Sequence, residues 1–251
     1  MLNQIEHGSI LELSLARPPV NALNPSLVSV LRGSIADALS AGYRGLILSG
    51  APGIFSAGLD VPTLLTLDRQ AMADFWRDFS ATMRALATSP IPTVAAITGH
   101  SPAGGAVLAI WCDYRVMASG EFRIGLNETQ VGLALPAVIA RGLQRLVGAY
   151  RAERLIVEGA LIDPSQALDI GLVDQLSAPE NVIADAIGWL QRHLALPPAA
   201  FAVNRRICRM DLASCIDQTP TDELDRFLDG WFSAESQDTL RNLVAKLRTA
   251  S

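Results

Sequence analysis

Hydrophobic and polar positions follow two periods along the chain, and the pattern predicts strands and helices in turn. Residues 10–15 alternate apolar and polar side chains, and residues 46–48 form a short apolar run typical of a buried strand. Asn24-Pro25 is typical of a helix N-terminus and predicts a helix after it. Strands alternate with helices as far as Val173 and helices dominate afterwards, so we expect an α/β core with a helical C-terminal extension.

One strand–turn–helix unit stands at the centre of this pattern. Residues 93–97 are short, apolar and β-branched, and Gly, Ser and Pro dominate a predicted turn at 99–105, before a buried helix from Ala106. The first N–H groups of such a helix have no partners within the helix and favour an anion above the turn. The structural alternative is a helix packed tightly on a sheet, with Gly104-Gly105 allowing the close approach.

Composition limits the classes of protein that the chain can belong to. Half of its 251 residues are hydrophobic, 18% are charged, and the formal net charge is −5. A sizeable core is therefore expected, and the acidic balance argues against nucleic acid as a partner. No apolar run approaches the roughly 20 residues of a membrane-spanning helix, so we expect no membrane partner.

The cysteines and the N-terminal residues give no sign of a metal site or of export. Cys112, Cys208 and Cys215 form no CxxC pair and lie near no pair of histidines, so neither zinc nor a disulfide framework is expected. Residues 1–6 are neither basic nor apolar enough for a targeting segment. The predicted localisation is a reducing cytoplasm.

A second strand-to-turn unit covers residues 54–60 and bends at Gly58-Leu59. If its strand neighbours strand 93–97 in a parallel sheet, both glycine turns lie at the same edge, where α/β folds bind ligands. Two backbone N–H groups that converge there would form an oxyanion hole, which stabilises charge developing on a carbonyl oxygen. The reaction then depends on the acid, base or nucleophile that faces the hole.

Ser101 is one candidate for that group. Gly99-His100-Ser101 on a strand–turn–helix is similar to the nucleophile elbow of serine hydrolases, and His193 follows later in the chain. The residue after the elbow serine donates an oxyanion N–H, and Pro102 has none. A serine hydrolase is therefore disfavoured.

Glu128 is the other candidate. It follows Asn127, a predicted N-cap, so it is also suited simply to complement a helix dipole. The residues on both sides of it, 124–126 and 131–135, are apolar. A glutamate in an apolar pocket has a raised pKa and suits general acid–base chemistry near neutral pH.

Five short motifs, spread over nearly the whole chain, carry a family resemblance: Pro19-Val20-Asn21-Ala22-Leu23, Phe55-Ser56-Ala57-Gly58-Leu59-Asp60, Gly99-x-x-Pro102-Ala103-Gly104-Gly105, Cys112-Asp113-Tyr114-Arg115 and Gly171-Leu172-Val173-Asp174. With them the chain resembles the crotonase superfamily, the enoyl-CoA hydratase/isomerase group. It is most similar to the mitochondrial-type Δ3,Δ2-enoyl-CoA isomerases, whose signature is close to residues 124–130.

The resemblance implies a set of site residues. The N–H groups of Leu59 and Gly104 would form the oxyanion hole for an acyl-CoA thioester carbonyl. Substrate and CoA would be bound by residues around the two glycine turns, namely Ser56, Ala57, Gly58, Leu59, Asp60, Val61, Gly104 and Val107. No metal and no cofactor is implied, because CoA arrives as part of the substrate.

The resemblance also favours one reaction. Hydratases of the family use two glutamates, and their positions fall on Val107, which transfers no protons, and on Glu128, which we therefore expect to be the catalytic residue. Moving a double bond from C3 to C2 needs one carboxylate that removes a C2 proton and returns it at C4. The expected function is thus Δ3,Δ2-enoyl-CoA isomerisation in fatty acid β-oxidation.

The expected architecture is a crotonase-like fold of repeated ββα units, with an α/β core over residues 1–195 and a helical region over 196–251. In this family the helical region mediates trimer formation, so we expect a homotrimer that sometimes pairs into a hexamer. Two alternatives stay open: an enoyl-CoA hydratase or other acyl-CoA enzyme of the family, and a non-catalytic acyl-CoA-binding scaffold.

Overall fold

The computed structural model describes residues 1–220 and 222–249 and confirms the α/β architecture. The strands in this part of the chain are β1 (Leu2–His7), β2 (Ile10–Leu15), β3 (Gly45–Ser49), β4 (Gly53–Ile54), β5 (Thr93–Ile97), β6 (Gly99–Pro102), β7 (Tyr114–Ala118), β8 (Ile124–Gly125) and β9 (Gln175–Ser177). The helices up to the end of the sheet are α1 (Pro25–Ser40), α2 (Val61–Leu64), α3 (Arg69–Thr88), α4 (Gly104–Ile110), α5 (Ala137–Val147), α6 (Ala149–Glu158) and α7 (Pro164–Asp169). Those that follow are α8 (Val182–Leu194), α9 (Pro198–Cys208), α10 (Met210–Asp217), α11 (Glu223–Trp231) and α12 (Ala234–Thr249), and short 3₁₀ turns cover Glu128–Val131 and Pro179–Asn181.

The main sheet has six strands in the order β1-β2-β3-β5-β7-β9. Only β1 and β2 pair in antiparallel fashion, and the other neighbours are parallel. Helix α8 covers one face of the sheet through Val182, Ala186 and Leu190. The other face carries the larger core, to which α1, α3, α4 and the C-terminal helices contribute. Strands buried on both faces read as continuous apolar runs, which is why 46–48 and 93–97 were recognisable in the sequence.

A second sheet consists of three short parallel strands in the order β4-β6-β8. In the sequence each of them follows a strand of the main sheet: β4 follows β3, β6 follows β5 and β8 follows β7. Gly53 pairs with Gly99, and Ser101 pairs with Ile124. Because the three strands are parallel, the segments that follow them emerge at the same edge. This small sheet therefore gathers three distant parts of the sequence into one place.

Several element boundaries differ from the sequence prediction. The predicted turn at 99–105 contains strand β6, and helix α4 begins at Gly104 rather than Ala106. Helix α3 begins at Arg69, because the Asp68 side chain accepts a hydrogen bond from the Ala71 N–H at 2.8 Å and caps it. Strand β1 was not predicted, since most of its side chains are exposed and its pattern carries no buried face.

The C-terminal helices are fastened to the sheet by a buried ion-pair cluster. The Asp113 carboxylate contacts Arg205 at 2.7 Å and Arg209 at 3.0 Å, and it also accepts from the Thr93 N–H at 2.7 Å. Farther on, the rings of Trp76 and Phe227 stack with centroids 3.9 Å apart. The larger core thus includes side chains on both sides of residue 195. The division of the chain at residue 195 into a core and a helical region stays a prediction. Residues 221, 250 and 251 of the predicted helical region lie outside the described residues.

Within the described residues, no helix combines the length and apolar character that crossing a bilayer requires.

Gly99→Ala tests the close approach of β6 to β4. A Cβ at residue 99 would lie 2.0 Å from the Gly53 carbonyl carbon, so backbone would have to shift. We expect a loss of about 3 kcal/mol in the free energy of unfolding, measured by urea denaturation. The matched control is Gly33→Ala in α1, where no atom lies within 4 Å of the new Cβ and a gain of about 0.5–1 kcal/mol is expected. Equal stability of the two variants would contradict this close packing.

Candidate functional site

Three segments meet at the edge of the small sheet. Residues 55–60 follow β4, residues 103–105 follow β6, and residues 126–128 follow β8. The Phe55 N–H donates to the His100 carbonyl at 2.9 Å, and the Ala103 N–H donates to the Gly125 carbonyl at 2.8 Å. Backbone pairing alone therefore brings the first glycine turn, the second glycine turn and the segment before Glu128 together, as the sequence predicted for the two turns.

The Leu59 N–H is left free by the way its neighbours are bonded. Leu23 forms a parallel bridge with Leu59, in which the Leu23 N–H donates to the Gly58 carbonyl at 2.7 Å and the Asp60 N–H donates to the Leu23 carbonyl at 3.0 Å. The N–H of the residue between Gly58 and Asp60 points to the opposite side of the extended chain. Among the described residues it donates to no acceptor.

The Gly104 N–H is the first of helix α4 and has no partner within the helix. Its residue lies against the other turn, since a Cβ at residue 104 would be 3.4 Å from the Leu59 nitrogen and 3.3 Å from Gly58 Cα. Gly58 itself has a φ of +84°, and a side chain there would come within 3.0 Å of the Gly104 nitrogen. We call the N–H groups of Leu59 and Gly104 the candidate hole.

Ala103, which directly precedes Gly104 of the candidate hole, has a strained backbone conformation. Its φ of +47° lies in the left-handed region, and of the described non-glycine residues only Asn21, with a φ of +51°, shares it. With its ψ of −121°, such a conformation costs an alanine about 1–3 kcal/mol relative to ordinary backbone. The two strained residues both border the site, as is common where backbone must face a ligand.

Asn21 is a supporting residue that the sequence analysis did not single out. Its side chain is buried, accepts from the Arg17 N–H at 2.9 Å and donates to the Phe55 carbonyl at 3.1 Å. The Ser56 hydroxyl in turn donates to the Asn21 carbonyl at 2.8 Å. The available signal was an asparagine after a Pro-Pro turn, a residue type that tolerates positive φ and bonds nearby backbone.

The structure brings the predicted binding residues 56–61 together, but it engages two of their side chains internally. The Ser56 hydroxyl accepts from the Gly58 N–H at 3.1 Å, and the buried Asp60 carboxylate contacts Arg17 and Thr63. Ala57 and Val61 are half-buried, and each directs its N–H to a carbonyl of the protein. Contact of these residues with substrate or CoA stays a prediction.

Glu128 is a half-buried carboxylate at the start of a 3₁₀ turn. Its Oε2 atom is buried and has no hydrogen-bond partner among the described residues. Burial raises its pKa to about 7, against an ordinary value of 4.5, and a backbone hydrogen bond within the residue opposes the rise. At neutral pH the group is thus divided between its basic and acidic forms, as proton transfer in both directions requires.

Asn127 and Val107 bear on two expectations from the sequence: a helix N-cap at Asn127, and a position at Val107 that transfers no protons. Asn127 precedes the turn but makes no side-chain cap hydrogen bond, because the segment is a single 3₁₀ turn rather than an α-helix. Glu128 therefore complements no long helix dipole. Val107 lies in α4, is 1% exposed and belongs to the larger core, so this position contributes only apolar surface.

The groups required by a serine hydrolase are not assembled. Ser101 is fully buried on β6, and its hydroxyl has no hydrogen-bond partner in the described part of the chain. His193 lies on α8, where its ring stacks on Trp189 at 3.8 Å and its Nδ1 atom contacts the Trp189 carbonyl at 2.8 Å. His100 is exposed on β6, where its ring accepts from the Arg123 N–H at 3.2 Å.

Residues 1–220 and 222–249 contain no cluster of potential metal ligands. No three His, Cys, Asp or Glu side chains there lie close enough to hold an ion. The absence of a metal and of a resident cofactor stays a prediction.

These parts define a class of protein. Two backbone N–H groups at the edge of a small parallel sheet, together with a carboxyl group of raised pKa on the segment that follows the third strand, suit a protein that binds a carbonyl compound and moves a proton. Residues 5–243 match the family described as enoyl-CoA hydratase/isomerase. The chain belongs to this family and has the crotonase fold.

Some named relatives are isomerases and others are named as probable hydratases. The human protein enoyl-CoA delta isomerase 1, mitochondrial, is 31% identical over 94% of this chain and 79% of its own length. A probable enoyl-CoA hydratase, EchA17 of Mycobacterium tuberculosis, is 38% identical over 76% of this chain and 73% of its own. The crystal structure of human mitochondrial Δ3-Δ2-enoyl-CoA isomerase superposes with a TM-score of 0.94 at 29% identity, covering 100% of this chain and 99% of that one.

The raised pKa of Glu128 has a consequence for folding. Between pH 4.5 and 7 the folded protein holds this proton more tightly than the unfolded chain, so stability falls as pH rises through that window. Glu128→Gln removes the ionised form. We expect the variant to exceed the native protein by about 1 kcal/mol at pH 5 and by about 3 kcal/mol at pH 8, measured by urea unfolding.

The exposed Glu121→Gln supplies the control for this comparison, because it removes the same charge outside the site. Parallel pH profiles for the native protein and Glu128→Gln would show that the carboxylate is not buried as described.

Proposed function

We propose that this protein is a Δ3,Δ2-enoyl-CoA isomerase, which converts 3-enoyl-CoA into trans-2-enoyl-CoA during β-oxidation of unsaturated fatty acids. The observation that carries the proposal is the carboxyl group of Glu128, with a pKa of about 7 and a buried oxygen that has no hydrogen-bond partner among the described residues. It lies on the segment after β8, which pairs with the strand that leads to the Gly104 N–H. The 94% coverage by an isomerase relative and the TM-score of 0.94 support it.

The mechanism follows from what each group can do. Ionised Glu128 removes a proton from C2 of the 3-enoyl thioester, the C2–H electrons form a C1–C2 double bond, and the carbonyl electrons move onto the thioester oxygen. The resulting dienolate keeps its C3–C4 double bond and carries its negative charge on the thioester oxygen, where the N–H groups of Leu59 and Gly104 stabilise it; a single such donor contributes roughly 2.7–4 kcal/mol. Protonated Glu128 then gives the proton to C4: the C3–C4 electrons take up the proton, the C1–C2 electrons move to form the C2–C3 double bond, and the thioester carbonyl re-forms.

The partner of this reaction is an acyl-CoA thioester, with Ala57 and Val61 placed on the loop where it would enter. No further cofactor is needed, since the proton that leaves C2 is the proton that reaches C4. We also propose a homotrimer, which can pair into a hexamer, in a cytoplasmic compartment. Support for assembly comes from apolar side chains exposed on the helical region, namely Val203, Ile207 and Met210 at 46%, 57% and 59%.

An enoyl-CoA hydratase is the second candidate, because the EchA17 relative carries that name at 38% identity. Hydration needs groups that position and deprotonate a water and that supply a proton to carbon. Val107, buried and apolar, provides neither. The hydratase therefore requires a second polar group that the described site does not present beside Glu128.

A paired assay separates the two activities. One reaction offers 3-hexenoyl-CoA and follows the conjugated 2-enoyl thioester, and the other offers crotonyl-CoA and follows its hydration. We expect isomerisation to exceed hydration by at least about a hundredfold and to fall about a thousandfold or more in Glu128→Gln, because that variant has no base. The Glu121→Gln control should retain full activity.

Efficient hydration in the same assay would favour the hydratase. Normal acyl-CoA binding with neither reaction, in both the native protein and Glu128→Gln, would favour a non-catalytic scaffold.

The pH profile of the isomerisation tests the role of Glu128 as the initial base. Since the free enzyme must hold this group ionised, kcat/KM should rise with pH and level off above a pKa of about 7. Initial rates at low substrate from pH 5 to 9 measure it. A profile that is flat across this range would assign the first proton transfer to another group.

A further inference from the structure

One guanidinium joins the two chain segments that fix the Leu59 N–H. Arg17 donates from Nη2 to the Asp60 carboxylate at 2.5 Å and from Nη1 to the Ala22 carbonyl at 3.0 Å. Asp60 directly follows Leu59, and Ala22 directly precedes its bridge partner Leu23. The Arg17 side chain therefore spans the bridge that aims the Leu59 N–H into the candidate hole.

Asp60 also links this ion pair to helix α2. Its Oδ1 accepts from the Thr63 N–H at 3.1 Å, and its Oδ2 accepts from the Thr63 hydroxyl at 2.7 Å, so the carboxylate caps α2. The Asp60 side chain is 8% exposed and that of Arg17 is 27% exposed. An ion pair so largely removed from water has a fixed geometry, and loss of one partner leaves the other uncompensated.

We propose that Arg17 and Asp60 are positioning residues, whose ion pair holds the Leu59 N–H at the angle needed to bind an oxyanion. The proposal rests on the proposed function for its kinetic consequence, but not for its structural one. It also gives Asp60 a role other than direct contact with CoA, since both carboxylate oxygens already accept hydrogen bonds from the protein.

The two contacts of Arg17 set a requirement that lysine does not meet. The planar guanidinium presents its two Nη atoms in a fixed fork, so it reaches a carboxylate and a carbonyl at once. A lysine ammonium keeps the charge but is a single point on a flexible stem. Arg17→Lys should therefore preserve much of the attraction to Asp60 while releasing the Ala22 carbonyl and loosening the bridge.

The test compares Arg17→Lys and Asp60→Asn with a matched control, Arg32→Lys. Asparagine is a good N-cap, so Asp60→Asn keeps the start of α2 while removing the charge. Arg32 forms an exposed ion pair with Asp78 at 3.2 Å, between α1 and α3 and away from the site segments. The control thus undergoes the same substitution in an ion pair that holds no part of the hole.

The first readout is the absorption of bound para-dimethylaminocinnamoyl-CoA, a thioester that 3-enoyl isomerisation does not consume. An oxyanion hole polarises its carbonyl and shifts the band to longer wavelength. We expect Arg17→Lys and Asp60→Asn to lose at least half of that shift, and Arg32→Lys to keep it.

The second readout is isomerase kinetics. The site variants should lose about tenfold in kcat, with KM changed less than about twofold, because a misdirected hole donor acts mainly on the transition state. The double variant Arg17→Lys/Asp60→Asn should be no worse than its weaker single parent, because the two residues act as one unit.

The outcomes separate the two proposals. A native protein that shifts the probe but does not isomerise would overturn the proposed function, and reduced shifts in the site variants would still support the positioning role. Site variants that bind the probe with the native shift would overturn the positioning role, whatever the native activity. A native protein that binds the probe without any shift would overturn it as well, because no hole would then exist to be positioned.

Discussion

The candidate site depends on an arrangement that protein backbones usually avoid, namely two neighbouring N–H groups without acceptors among the described residues. Buried backbone donors are nearly always paired, and an unpaired one costs free energy. Here Leu59 is freed because Leu23 bonds its two neighbours instead, and Gly104 is freed because it begins a helix. The left-handed φ of Gly58 and the strained φ of Ala103 bring the two together. The three short parallel strands of the small sheet hold the two turns next to each other.

The carboxyl group of Glu128 imposes the opposite kind of cost. It is ionisable and half-buried, and its Oε2 atom has no partner among the described residues, which no stability argument would favour. Its raised pKa is the direct result, and the same desolvation makes it a base at neutral pH. Function and stability are therefore opposed at this residue, whereas the buried, apolar Val107 on α4 carries no ionisable group.

The sequence predicted elements whose burial leaves a clear pattern, such as β2, β3 and β5, and it located both glycine turns through their composition. It missed β1, because an edge strand with exposed side chains has no apolar period to detect. It described the segment before Glu128 as apolar but did not show that β8 pairs with β6, a long-range contact that local pattern does not encode. The roles of Asn21 and Arg17 depend on partners 34 and 43 residues away, which spacing alone does not identify.

Helix α12 forms the last wall of the site. It packs against α2, just after Leu59, and against the 3₁₀ turn of Glu128, where the Ser236 hydroxyl donates to the Gly132 carbonyl at 2.7 Å. Both halves of the site thus contact a helix that lies far along the chain, since Ser236 is 104 residues beyond Gly132. Because closing so long a loop costs conformational entropy, α12 holds the two halves against each other only once the intervening chain has folded.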